Sequence, residues 1–174
     1  MTQPVDQPLD PVVDPDLQAR FREVMAGVPT PVSVITSTTG GLPHGTTVSA
    51  FASLSMTPPM VLVSLDRGSD LLAVVRESGR FGVNVLGAHQ SQLALAFARK
   101  GGTGKFNGVK WDLDHDLPRI PGAPGWLACE VQTLVDGGDH VVALGLVVAA
   151  ETVEGRPLTY HGRVFGTHAA LETP

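Results

Sequence analysis

The sequence predicts a mainly β domain, an antiparallel barrel with two or three helices covering its open ends or edges. Short apolar or alternating runs outnumber helical ones, and most neighbouring runs are joined by turns rich in Gly, Pro and Asp. The strand–helix alternation of a doubly wound dinucleotide-binding sheet is missing, and no GxGxxG follows a strand. The chain has 174 residues. That suits one domain, placed at residues 16–174, behind a lead-in over residues 1–15 whose Pro, Asp and Gln lack periodicity and read as disordered.

Each element has its own signal. Asp16 is positioned to cap a helix from Leu17 to Ala26, with Leu17, Phe21, Val24 and Met25 facing inward and Gly27 ending it. Pro31 to Ser37, PVSVITS, reads as a strand, and Thr38-Thr39-Gly40-Gly41 turns it into the next as a hairpin. The stretch from His44 to Asp66, HGTTVSAFASLSMTPPMVLVSLD, organises the rest. At period two, Val48, Ala50, Ala52 and Leu54 share one face, which suits a core. Thr47, Ser49, Phe51, Ser53 and Ser55 share the other. Pro58-Pro59 breaks the chain, and Met60 to Leu65 is an apolar run expected to be buried on both sides. Ser69 to Arg76 reads as a helix with Leu71, Leu72 and Val75 inward, ended by Gly79. FGVNVL from Phe81 to Leu86 is a strand, and Gln90 to Ala98 is a helix of good propensity. Gly101 to Gly108 is a glycine-rich loop, and residues 112–125, with their prolines and acidic residues, read as a surface excursion. Trp126 to Val135 and His140 to Ala150 form a hairpin through Asp136-Gly137-Gly138-Asp139. Pro157 to His161 and Arg163 to Thr167 are a last strand pair.

Composition narrows the function classes. A net charge of −5 argues against a dedicated nucleic-acid binder. No apolar run has the length to cross a bilayer, and no secretory leader pattern opens the chain, so neither membrane nor export is expected. Cys129 is the single cysteine; with Leu127, Ala128 and Val131 around it, it reads as a buried thiol, in keeping with a reducing cytosol. The six histidines show no HxH, HxxxH or Cys/His pairing, so no metal site is expected. No GxSxG is present.

The candidate sites carry two readings each on the residues alone. The Ser/Thr face is either the outer face of a half-buried strand or a wall for a flat, polar ring. The 101–106 loop fails the P-loop pattern, with Arg99 in place of the first Gly and Phe106 in place of Ser/Thr, yet Lys105 can still offer a charge to a phosphate. His140 begins a strand after a double-Gly turn, as a cleft histidine or a turn histidine. Tyr160, Arg163 and Phe165 are either a stacking and anion-pairing cluster or a solvated terminal hairpin.

Taken in order, VSVITS, GTTVSAFASLSMTPPMVLVSLDRGS, FGVNVL, the helix ending LAFA, KF, LACEV, GDHVVALGLV and PLTYHGRVFG resemble the flavin reductase family with the FMN-binding split barrel. The resemblance runs from about Phe21 to Thr167. It implies an antiparallel split β-barrel of Greek-key type, and a small NAD(P)H:flavin oxidoreductase that feeds a two-component monooxygenase. FMN or FAD is the implied cofactor, and NADH or NADPH the electron donor. Thr46, Thr47, Val48 and Ser49 would line the flavin ring, mostly through backbone groups, and Ser64, Leu65 and Asp66 would continue that wall. Ser69 would meet the flavin phosphate at a helix start, where free N–H groups favour an anion. Phe97, Lys105 and Phe106 would close over the phosphate and ribityl side. His140 would sit by the nicotinamide as an orienting or polarising group. Tyr160, Arg163 and Phe165 would help hold the nicotinamide nucleotide; Phe165 stands where many of the family carry Tyr. Hydride passes from nicotinamide C4 to flavin N5, so no general base is needed. The resemblance also implies a cytoplasmic homodimer with flavin near the subunit boundary, and a flavin-dependent monooxygenase as the receiving partner. The alternative is a flavin-binding split-barrel protein without turnover, a carrier or sensor.

Overall fold

The computed structural model describes residues 14–171. Nearly all of the lead-in expected over residues 1–15 lies outside them. Helix α1 spans Pro15–Ala26, with Asp14 as its cap: the Asp14 carboxylate accepts from the Asp16 N–H, and Pro15 takes the first helical position, where no N–H is needed. The helix therefore starts earlier than expected from Asp16. Its apolar residues are also not inward. Leu17, Phe21, Val24 and Met25 are all exposed, because α1 stands off the sheet with no buried residue.

Twelve strands and two further helices follow among the described residues: β1 (Thr30–Pro31), β2 (Ser33–Thr39), β3 (Leu42–Val48), β4 (Phe51–Met56), β5 (Pro59–Asp66), α2 (Asp70–Ser78), β6 (Arg80–Val85), α3 (Ser91–Ala98), β7 (Asp112–Asp114), β8 (Leu117–Arg119), β9 (Gly125–Gly137), β10 (His140–Thr152), β11 (Leu158–His161) and β12 (Val164–Thr167). Seven strands form one antiparallel sheet in the order β3-β2-β6-β9-β10-β5-β4. The sheet curls but does not close by hydrogen bonds. Its two edges, β3 and β4, are consecutive in the chain, joined through Ser49 and Ala50. The barrel is split between them.

That link explains a departure from the period-two reading. Ser49 and Ala50 lie outside both strands, and the alternation changes phase across them. Val48 is buried, but Ala50, Ala52 and Leu54 are exposed, and Phe51 packs on the core instead. Strand β5 alternates as well. Val61, Val63 and Leu65 are buried, while Met60, Leu62 and Ser64 are only half-buried, so one face is covered rather than two. Each fully buried side chain of this kind contributes about 1.5–3 kcal/mol.

The main core lies between the sheet and α2, where Leu71, Leu72 and Val75 meet Ile35, Val63, Phe81 and Val83. Ser69 caps α2 by accepting from the Leu72 N–H at 3.1 Å. A Cβ on Gly145 would stand 2.4 Å from Phe81 Cζ, so the ring fills the space that a side chain on β10 would need. Register shifts beside Gly145 and at Val147/Ala149 bend the long β9–β10 hairpin over this core. A second core under α3 holds Val32, Val34, Leu86, Phe97, Phe106, Ile120 and Leu158.

Residues 112–125 are not a loose excursion. Leu117 and Ile120 are buried, and the buried Asn84 side chain ties the segment down. Its Nδ2 donates to the carbonyls of Val34 and Pro118, and its Oδ1 accepts from the Ile120 N–H at 2.7 Å. The C-terminal pair β11–β12 forms a separate small sheet with β1, as three strands in the order β1-β11-β12.

Candidate active site

Strand β5 runs on past its partner β4. Phe51 pairs with Val63 and the Ala50 carbonyl accepts from the Ser64 N–H, but Leu65 and Asp66 have β10 on one side and no strand on the other. The edge strand β3 faces this overhang across the split. A cleft therefore opens between two lengths of backbone whose outward groups no strand pairs. Its inner chamber, about 190 Å³, is walled by Thr46 to Ala50, Ser64 to Asp66, Ser69 and His140. Thr46, Asp66 and Ser69 also belong to an outer chamber of about 380 Å³, whose further walls include His44, Asp70, Arg99, Lys100 and Lys105.

The hydroxyls of β3 are already committed. Thr47 Oγ1 donates to the Ala94 carbonyl at 2.6 Å, and Thr46 Oγ1 lies 3.5 Å from the Phe97 carbonyl. They bind α3 to the strand and leave the backbone of β3 as the wall. Sequence reasoning put Phe97 and Phe106 at the phosphate side. Both rings are buried beneath the cleft, edge to face at 4.8 Å, and do not line it. They press on β3 from below. A Cβ on Gly45 would stand 2.8 Å from Phe97 Cε1 and 3.2 Å from Phe106, so only glycine admits the rings at that point.

The outer chamber brings basic side chains and a helix start together with two carboxylates, Asp66 and Asp70. Lys105 Nζ donates to the carbonyls of Gly45 and Phe97, each at 3.1 Å. Partial burial pulls its pKa below the ordinary lysine value, and the Asp70 carboxylate acts in the opposite sense. The glycine-rich loop is a short 3-10 turn, Gly102–Phe106, that delivers this ammonium group. The N-terminus of α2, capped by Ser69, opens into the same chamber and carries a positive dipole end. His44 Nδ1 is buried with no hydrogen-bond partner among the described residues. The Lys105 ammonium group and the N–H groups at the start of α2 fit a phosphate, and the two unpaired backbone edges of the inner chamber fit a flat heterocycle.

His140 opens β10 beside Asp66, its strand partner. Its Nδ1 lies 2.8 Å from Asp139 Oδ1. An ionised carboxylate only accepts, so Nδ1 carries the proton. The hydrogen bond and charge of His140 hold the Asp139 carboxyl below the usual carboxylate range.

The other three nicotinamide candidates are not beside His140. Tyr160 and Phe165 face each other across the β11–β12 pair with ring centroids 5.4 Å apart. With Arg163, Leu95 and Val164 they line an apolar groove of about 520 Å³, which meets the inner chamber only at Thr47 and Ser49. Arg163 sits in the β11–β12 turn at φ +64 and pairs with Glu23 of α1. Sequence reasoning singled out neither Gly45 nor His44. A glycine inside the His44–Val48 strand pattern was the one available signal, since it marks a close approach.

Residues 25–169 match the flavin reductase like domain family. The chain belongs to that family. It is 37% identical over 166 residues to the reductase component of a 4-nitrophenol 4-monooxygenase/4-nitrocatechol 2-monooxygenase from Rhodococcus opacus, covering 95% of this chain and 85% of that one. It is 36% identical over 147 residues to the FMN reductase (NADH) SmoA of Agrobacterium fabrum, covering 84% and 83%. Among solved structures, the NADH:FAD oxidoreductase SgcE6 of Streptomyces globisporus C-1027, in complex with NAD and FAD fragments, superposes with a TM-score of 0.85 at 31% identity, covering 94% of this chain and 99% of that one. That solved structure carries the same fold.

Proposed function

We propose that the split between β3 and the overhang of β5 holds the isoalloxazine of FMN or FAD, with its phosphate in the outer chamber, and that the protein reduces flavin with NADH or NADPH. The observation that carries this reading is the anion site of Lys105 and the α2 N-terminus opening directly off a slot walled by unpaired backbone. The bound flavin supplies the hydride acceptor, and the reduced nicotinamide supplies the hydride. The chain's own residues orient the two rings. Backbone groups of Thr46 to Ser49 and of Ser64 to Asp66 hold the ring edge. Ser69 and Lys105 fix the phosphate. His140, oriented by Asp139, polarises the second ring where it meets the first. Tyr160 and Phe165 form a stacking platform in the adjoining groove and hold the far part of the nicotinamide nucleotide. Reduced flavin then passes to a separate flavin-dependent monooxygenase, a reading supported by the name of the Rhodococcus opacus relative, the reductase component of a monooxygenase.

The protein acts as a homodimer. Support comes from the exposed apolar face of α1 and from the open edge β4, where Leu54 and Met56 are exposed. Sedimentation at micromolar concentration gives a two-chain species; a monomer refutes it. Purified protein mixed with NADH or NADPH and excess FMN or FAD consumes the reduced nicotinamide, read from its absorbance. A protein that turns yellow but consumes neither donor is a carrier, and that result overturns the reading.

A further inference from the structure

Arg67 lies in the β5–α2 turn between two residues that wall the cleft, Asp66 and Gly68, yet it lines neither chamber. Its side chain turns the other way and spans to the β9–β10 turn. Nε donates to the Gly138 carbonyl at 2.7 Å, and Nη2 donates to Asp136 Oδ1 at 2.8 Å. Its main-chain N–H donates to the Asp139 carbonyl at 3.0 Å. One residue thus grips Asp136, Gly138 and Asp139, the segment directly ahead of His140. That segment contains Gly137 and Gly138, and Gly138 sits at φ +66. Adjacent glycines leave such a turn more backbone freedom than any other pair. The main chain of His140 is held to β5 by its pairing with Asp66, so the freedom the glycines leave lies in the turn and in how the Asp139 carboxylate meets the His140 ring.

We propose that Arg67 is a positioning residue for hydride transfer, acting through the β9–β10 turn on His140. The inference rests on the reading that His140 faces the nicotinamide. Arg67 and Asp136 are both largely exposed, so their ion pair adds little to stability. What the clamp supplies is geometry. A guanidinium satisfies a carbonyl and a carboxylate at once through its fixed fork, which a lysine ammonium does not reproduce. The turn that carries Arg67 is held independently. Asp66 Oδ1 accepts from the Gly68 N–H at 2.7 Å, and the Asp66 carbonyl accepts from the Ser69 N–H at 3.1 Å. Loss of the Arg67 side chain therefore leaves Ser69 and the phosphate end in place.

The test is stopped-flow reduction of protein-bound FMN by NADH in four proteins: wild type, Arg67→Gln, His140→Ala and the double variant. Arg67→Gln slows the limiting rate about tenfold, the scale of loss from a small misplacement. Its FMN affinity and melting temperature stay at the wild-type values. In the His140→Ala background the same substitution causes no further slowing, because the two residues act as one unit. Asp136→Asn, which loosens the clamp from the other side, gives a smaller slowing that also vanishes in that background. A wild-type rate in Arg67→Gln alongside a slow His140→Ala overturns this proposal alone, as does equal slowing by Arg67→Gln in both backgrounds. A wild-type rate in His140→Ala overturns the reading of His140 on which the proposal stands.

Discussion

Lys105 crosses the floor of the cleft to Gly45, and its ammonium group stands 3.1 Å from the Gly45 carbonyl oxygen. The contact joins the glycine-rich loop to the one position in β3 where a side chain has no room. Charge, close approach and loop conformation thus meet at a single point of the outer chamber.

Lys105→Met removes that charge and both of its hydrogen bonds. FMN affinity is expected to fall roughly tenfold or more, the scale of one charge-assisted bond. Riboflavin, which lacks the phosphate, is expected to lose far less. Fluorescence titration with the two ligands separates the outcomes. The depressed lysine pKa adds a pH signature. Burial favours the neutral amine, so the free protein sheds this proton at lower pH than an ordinary lysine does. FMN binding therefore weakens earlier on the alkaline side in wild type, and that limb is missing in Lys105→Met.

Thr47→Val tests whether the hydroxyl serves the fold or the ligand. Its Oγ1 is bound to the Ala94 carbonyl at 2.6 Å. The variant is expected to lose about 1 kcal/mol of stability, the net worth of one such bond. FMN affinity should change by less than about twofold, since the hydroxyl makes no contact to lose. Denaturant melts and a binding isotherm check both.

Gly45→Ala places a methyl group 2.8 Å from Phe97 Cε1. Either the Phe97–Phe106 pair or β3 must move. The expected cost is about 1–3 kcal/mol, the range for overpacking. FMN affinity falls with it, because β3 is the cleft wall. A melt unchanged from wild type would show that the rings yield freely.

Cys129 is fully buried, and burial raises its thiol pKa from 9.0 to about 12. The folded thiol keeps its proton while the unfolded one loses it. Unfolding therefore releases a proton between those values, and stability declines as pH rises through that window. Cys129→Ala is expected to flatten the alkaline arm of melting temperature against pH. N-ethylmaleimide should leave the native protein's activity untouched.

Much of this was legible in the chain. Turn chemistry located the hairpins, with Gly40-Gly41 and Gly137-Gly138 each between paired strands. The start of a helix near Ser69 and the core face of Leu71, Leu72 and Val75 followed from local pattern, though Ser69 proves to be its cap and not its first residue. The interruption at Ser49-Ala50 did not, because an exposed-type Ser and a buried-type Ala continue the alternation unbroken through the link. The outward face of α1 was also hidden: an amphipathic period shows that a face seeks cover, not which surface provides it. Tyr160, Arg163 and Phe165 sit close in sequence to one another. Their distance from His140 depends on the β1-β11-β12 sheet, a pairing across most of the chain that no local signal encodes.

The two free margins of the large sheet are joined in the chain by just two residues, Ser49 and Ala50. A ligand lodged between β3 and the overhang of β5 acts as a missing rung, bonding to both and stitching the seam. Amide exchange along Thr46 to Ala52 should slow on loading, well before any change is seen in the long β9–β10 hairpin. Occupancy of the protein could then be read from its own main chain, without a chromophore and without turnover.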